Sequence, residues 1–138
     1  MIILDTNLVS ALMNDPVDEM VASWLNRQPQ TSIWTTAVTI LEIDFGLKIM
    51  PIGKKRDGLT HLFASIMAEM GHRVCAFDHD AAQLAADLMA SRRKKGKVVD
   101  LRDTMIAGIV LARHATLATR NVTHFSDIPA TVVNPWTA

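Results

Sequence analysis

Apolar and β-branched residues fall in short continuous runs at residues 2–4, 32–35, 73–77, 116–119 and 131–133. Runs of this length that do not alternate with polar residues suit strands covered on both faces, as in a parallel sheet. Between them lie longer segments with apolar residues three and four apart. Residues 16–28 start at Pro16 and place Val17, Met20, Val21, Trp24 and Leu25 on one helical face. Residues 36–47 form a second helix, stopped by Gly46 and by Pro51 beyond, and residues 59–70 a third that ends at Gly71. Residues 81–95 carry Leu84, Ala85, Leu88 and Met89 and end in a basic run, and residues 100–112 carry Leu101, Met105, Ile106, Ile109 and Val110. This alternation predicts an α/β fold: one domain over 1–138, with a central parallel sheet of about five strands, flanking helices and right-handed crossovers. The stretch 50–57, with Pro51, Gly53 and the cations Lys54, Lys55 and Arg56, reads as a surface loop.

A chain of 138 residues is long enough to bury about two-thirds of its unfolded surface around a single core. Hydrophobic residues at 49% and charged residues at 20% exclude disorder. Fourteen Lys and Arg balance fourteen Asp and Glu, so any polyanion must be met by a local patch rather than by a basic coat. Cys75 is the lone cysteine and supports neither an internal disulfide nor a multi-thiolate zinc site. No apolar run approaches the roughly 20 residues that span a bilayer, and the opening lacks the basic region of a signal peptide. The expectation is a soluble cytoplasmic protein with no membrane partner.

Ligands of open parallel sheets bind beyond the carboxyl ends of the strands, so acids placed there carry weight. Asp5 directly follows the first strand; it reads either as a helix N-cap or as a site residue. Glu42 sits on a helix among Ile40, Leu41, Ile43 and Phe45, a setting in which a carboxylate needs a partner, either a salt bridge or a ligand. Asp44 lies on the other side of that helix, toward solvent. Asp100 and Asp103 open the last long helix three residues apart; Asp100 has the position of a cap, which leaves Asp103 less accounted for. Two carboxylates about 4 Å apart repel by roughly 4 kcal/mol at an effective dielectric of 20. If the fold gathers Asp5, Glu42 and Asp103, a cation must offset that repulsion, and an all-oxygen ligand set suits Mg²⁺ or Mn²⁺.

Taken in order, several segments resemble one family. Met1-Ile2-Ile3-Leu4-Asp5-Thr6-Asn7 resembles the opening of PIN-domain ribonucleases, and Thr39 to Gly46 resembles their acidic helix, with Glu42 four residues before Gly46. Asp103 to Ala107, Leu117 to Asn121 and Val133 to Trp136 resemble the later part of VapC-type toxins, in particular their FitB-like branch. The resemblance implies a PIN fold and a Mg²⁺- or Mn²⁺-dependent endoribonuclease, the toxin of a type II toxin–antitoxin pair. It also implies an RNA substrate, a cognate antitoxin as partner, and a homodimer. It assigns Asp5, Glu42 and Asp103 to the metal. A fourth acid of the family falls at Asn121 here, which supplies a carbonyl but no charge; His124 and Asp127 are the other candidates for that place. Thr6 and Thr119 stand where they could hydrogen-bond the acids.

The basic run from Arg92 to Lys97 reads either as a solvated helix end or as a contact to phosphates, and Arg120 as a phosphate guide or a salt bridge. No glycine-rich phosphate loop is present, which argues against an ATPase. A binding module that holds RNA or an antitoxin without cutting is the alternative reading. A phosphotransferase working through an aspartyl phosphate ranks third, because Asp5-Thr6-Asn7 lacks a second Asp and has no lysine partner.

Overall fold

The computed structural model describes all residues, 1–138. Five strands, β1 (Ile2–Leu4), β2 (Ile33–Thr36), β3 (Val74–Cys75), β4 (Thr116–Ala118) and β5 (Val132–Val133), form one sheet in the order β3-β2-β1-β4-β5. Every pairing is parallel, with Ile2 opposite Ile33 on one side and Thr116 on the other. Six helices surround it: α1 (Thr6–Ala11), α2 (Glu19–Asn26), α3 (Ala37–Ile49), α4 (Lys54–Glu69), α5 (His79–Lys94) and α6 (Leu101–Ala112).

The chain lays down β1, β2 and β3 in one direction, then returns through α5 and α6 to place β4 on the far side of β1. With right-handed crossovers, that reversal puts helices on both faces. Successive residues of β1 point to opposite cores. Ile3 packs with Ile106, Ile109, Leu117 and Phe125 on the α5–α6 side, and Leu4 with Leu8, Val21, Trp24 and Phe63 on the other. Between β1 and β4 the strand order reverses, and the carboxyl ends of these two strands flank the crevice where such sheets take ligands.

The expected five-stranded parallel sheet is present, and the differences lie in the helices. Gly46 does not stop α3, which runs on to Ile49; Met50 turns extended, as the residue before a proline must. The stretch read as a loop keeps that character only to Gly53, because α4 starts at Lys54. Three cations in a first turn oppose the helix dipole, so the sequence looks unlike a helix start, yet Lys and Arg are good interior helix formers. α2 begins at Glu19 rather than Pro16, since Asp18 caps it by accepting from the Met20 and Val21 amides. A short helix that the apolar pattern left out, α1, follows Asp5 directly.

α6 carries Asp103 and packs closely on α5. Gly108 makes that approach possible: a Cβ there would run into the Ala81 carbonyl and stand 2.9 Å from the Ala85 Cβ. The apolar residues around Glu42 are less buried than their pattern suggests. Leu41, Phe45 and Ile49 form an exposed stripe along α3, continued by Ile52. No helix is long and apolar enough to cross a membrane.

Candidate functional site

Asp5 stands at the carboxyl end of β1, in the crevice between β1 and β4, and is 3% exposed. The cap that the sequence allowed is present: one carboxylate oxygen caps α1 by accepting from the Leu8 amide at 2.9 Å. The other accepts a short hydrogen bond from the Thr119 hydroxyl, just past β4. Neither donor carries a charge. Burial is the main reason its pKa rises to about 6; the two hydrogen bonds pull it down, and the negative charges of Asp103 and Glu42 push it up further. Asp5 therefore feels the field of an acid from α3 and of another from α6.

Glu42 projects from α3 toward α1. Its Oε1 accepts from the Thr6 hydroxyl at 2.7 Å, and that hydroxyl lies 3.1 Å from the Thr39 hydroxyl. Its Oε2 lies 3.6 Å from the guanidinium of Arg102, which is the salt bridge that the sequence allowed. Arg102 is half-exposed and also grips Asp100, whose carboxyl it holds below the usual carboxylate range. Asp100 is the N-cap of α6, accepting from the Arg102 amide, and takes no part in the acid cluster. Asp103, one turn into α6, points back toward the crevice with Oδ2 3.0 Å from the His124 Nδ1.

Asn121 stands beside this group, its backbone amide donating to the Thr119 hydroxyl that in turn holds Asp5. Asp127, the other acid near this place, is engaged elsewhere. Arg92 is 4% exposed at its side chain and forks onto both Asp127 oxygens at 2.9 Å, while Lys97 approaches to 3.4 Å. These cations hold the Asp127 carboxyl far below the usual range. Arg92 also donates to the Thr104 hydroxyl and the His124 carbonyl, both at 2.8 Å.

The basic run is thus neither a solvated helix end nor a phosphate patch at its first residue, which is a buried internal clasp. Arg120 likewise makes no salt bridge but stacks over Trp136, 5.1 Å from the ring centre. Arg102 and the Arg92 clasp were missed in sequence; the adjacency of Arg102 to Asp103 was the only local sign.

The donor set fits a hard divalent cation: three carboxylates, one of them buried under mutual repulsion with no positive partner. As they stand, no three Asp, Glu, His or Cys side chains close into a cage, because Glu42 leans to Thr6 and Arg102 and Asp103 to His124. The acids lie on an open edge of the sheet. A broad hollow lined by Leu84, His114, Thr116 and Thr131 lies at the amino end of β4 and includes none of them.

Comparison with known proteins places the chain. A family model for the PIN domain matches residues 2–130. VapC ribonuclease Y4jK of Sinorhizobium fredii is 36% identical over 137 residues, 99% of this chain and 98% of its own length. Toxin FitB of Neisseria gonorrhoeae is 30% identical over 99% of both chains. The crystal structure of FitAcB from Neisseria gonorrhoeae superposes with a TM-score of 0.90 at 29% identity, over 100% of each chain. With the fold and the full-length similarity in agreement, this chain belongs to the PIN-domain family, among its VapC and FitB relatives.

Proposed function

We propose that the chain is a metal-dependent endoribonuclease and the toxin of a toxin–antitoxin pair, acting in the cytoplasm. The observation that carries this reading is the acid trio at the crevice between β1 and β4, with Asp5 buried and short of positive charge. The likeness to a VapC ribonuclease and to toxin FitB supports it. Asp5, Glu42 and Asp103 would hold Mg²⁺ or Mn²⁺, with Asn121 offering a neutral carbonyl beside them. When bound, such an ion supplies Lewis-acid stabilisation of charge on a phosphodiester and lowers the pKa of water. Thr119 and the Leu8 amide orient Asp5, while Glu42, held by Thr6 and Arg102, would turn toward the ion when it binds. Arg102, half-exposed at the rim, can trade Glu42 for a phosphate oxygen of the strand. An open edge admits a polymer, which an enclosed pocket would not.

A cognate antitoxin would restrain the enzyme, and a second copy would cover the stripe of Leu41, Phe45 and Ile49. These residues, four apart on α3, offer the self-complementary apolar surface that a two-fold pair needs. A Phe45→Glu variant is expected to run as a monomer in light scattering where the parent runs as a dimer.

The test is cleavage of RNA by purified, antitoxin-free protein with Mg²⁺, Mn²⁺ or EDTA, beside an Asp5→Asn/Asp103→Asn double variant prepared identically. Cleavage that needs metal and vanishes in the variant is the expected result. RNA binding without turnover would favour the alternative, a non-catalytic binding module. Asn121 in place of an acid is the observation on its side.

A further inference from the structure

The Thr119 that holds Asp5 also sets the place of Arg120, the next residue along the chain. The Thr119 amide donates to the Val133 carbonyl at 2.9 Å, which ties the ends of β4 and β5 together where both strands leave the sheet. Arg120 follows one end, and a turn from Asn134 to Thr137 follows the other. Asn134 builds that turn: its side-chain carbonyl accepts from the Trp136 amide at 2.9 Å, and its backbone carbonyl from the Thr137 amide at 3.2 Å. The Trp136 ring packs on the core that holds Leu4 and Ala118, and the Arg120 guanidinium lies over it, 5.1 Å from the ring centre.

This seat leaves the hydrogen-bonding capacity of the cation free. A stack on an indole uses one face of the guanidinium, while its five N–H donors lie in the plane and point outward. Arg92 and Arg102 are taken by carboxylates, but Arg120 is exposed and its side chain makes neither a hydrogen bond nor an ion pair. The chain as a whole is neutral, and the acids on this edge of the sheet repel a polyanion, so a strand brought to Asp5 needs positive charge close by. Trp136 also restricts the rotamers that a long side chain would otherwise lose on binding, so the planar fork is held ready for a phosphate.

Resting on the nuclease reading above, we infer that Arg120, seated on Trp136, is a binding subsite for RNA. The edge of its guanidinium grips a phosphate of the strand flanking the one to be cut, and Trp136 is the positioning residue beneath it. Such a contact gives affinity and register but no choice of base. It holds bound strand and transition state alike, so its loss falls on KM rather than on kcat.

The full-length protein is tested with a fluorescein-labelled, mixed-sequence single-stranded RNA of about 12 nucleotides. Fluorescence anisotropy in EDTA, where no strand is cut, is recorded over a range of KCl concentrations. Arg120→Gln is expected to bind about tenfold more weakly, with the slope of log affinity against log salt smaller by about 0.7. Arg120→Lys keeps the charge and should keep the slope, with an affinity between the two. Trp136→Leu unseats the guanidinium without removing it, and should weaken binding about threefold at an unchanged slope. Circular dichroism checks each fold, and the Arg120 variants, which change only an exposed side chain, carry the test if Trp136→Leu does not fold. With Mg²⁺ or Mn²⁺ added, the loss in Arg120→Gln should appear as a KM raised about tenfold. Weaker binding at an unchanged slope in Arg120→Gln means that the side chain meets a base and not a phosphate, and overturns the assignment. Binding and KM equal to the parent overturn it too and leave the nuclease reading standing. Trp136→Leu that folds and binds like the parent overturns the positioning role. A parent that neither binds nor cuts RNA overturns both readings.

Discussion

Asp5 and Asp127 are carboxylates of the same type, each held by two or more hydrogen bonds, yet they are set in opposite ways. Asp127 meets a buried guanidinium and a lysine and is held far below the usual carboxylate range. Asp5 meets a hydroxyl and an amide, and burial pushes it up to about 6. The first is finished as it stands and serves as scaffold. The second is stabilised by a proton or by positive charge that arrives from outside, as the proposed role in holding an ion requires.

The strongest way to break the contrast is to strip Asp127 of its cation. Arg92→Ala leaves a half-buried carboxylate, the Thr104 hydroxyl and the His124 carbonyl unanswered, and is expected to lower stability by about 3–5 kcal/mol. Urea unfolding at neutral pH measures it. The depressed pKa of Asp127 contributes stability that is present above the ordinary carboxylate range and lost as pH falls below it. In Arg92→Ala the acid limb of the stability profile should flatten accordingly.

Asp5→Asn tests the other side and should go the opposite way. A carboxyl whose folded pKa is raised from 3.8 to about 6 binds its proton more tightly when folded, so its contribution to stability falls as pH rises through that window. Asn keeps the cap on α1 without the charge. Metal-free protein should therefore gain up to about 3 kcal/mol at pH 7, with the gain gone below about pH 4. Urea curves at the two pH values decide this, while cleavage is lost.

A smaller effect joins the two regions. Gly108→Ala forces α6 away from α5, and with it both Asp103 and Thr104; a loss of about 1–3 kcal/mol in the same unfolding assay is expected. Smallest of all, Arg102→Gln removes the one guanidinium beside the acids. Because that side chain is half-exposed, the urea midpoint should not move, while Mn²⁺ affinity measured by calorimetry rises as Glu42 loses its competitor.

What could be read from sequence follows the range of the interactions. Strands, the cap at Asp100 and the close of α4 at Gly71 rest on neighbours a few residues apart. Asp5, Glu42 and Asp103, the acids proposed to hold the ion, could be singled out because each stands at a recognisable point of its own element. The Arg92–Asp127 clasp joins residues 35 apart, and the His124–Asp103 contact residues 21 apart. Nothing in local spacing distinguishes Arg92 from the exposed Arg93 beside it until the helix is docked. The same holds for α3, where Leu41 and Phe45 have the pattern of core residues but face outward.

The position of β1 also orders events during synthesis. It is the first strand made, yet it is the middle of the sheet, and Asp5 takes its Thr119 bond across 114 residues of chain. A nascent chain can form β1, β2 and β3 early, but β4 leaves the ribosome only after α5 and α6. Until it arrives, Asp5 has no wall on one side and no hydroxyl to orient it. Any chemistry that depends on Asp5 therefore waits until β4 has emerged and docked, so a copy halted between β3 and β4 lacks the wall and the hydroxyl that set its site.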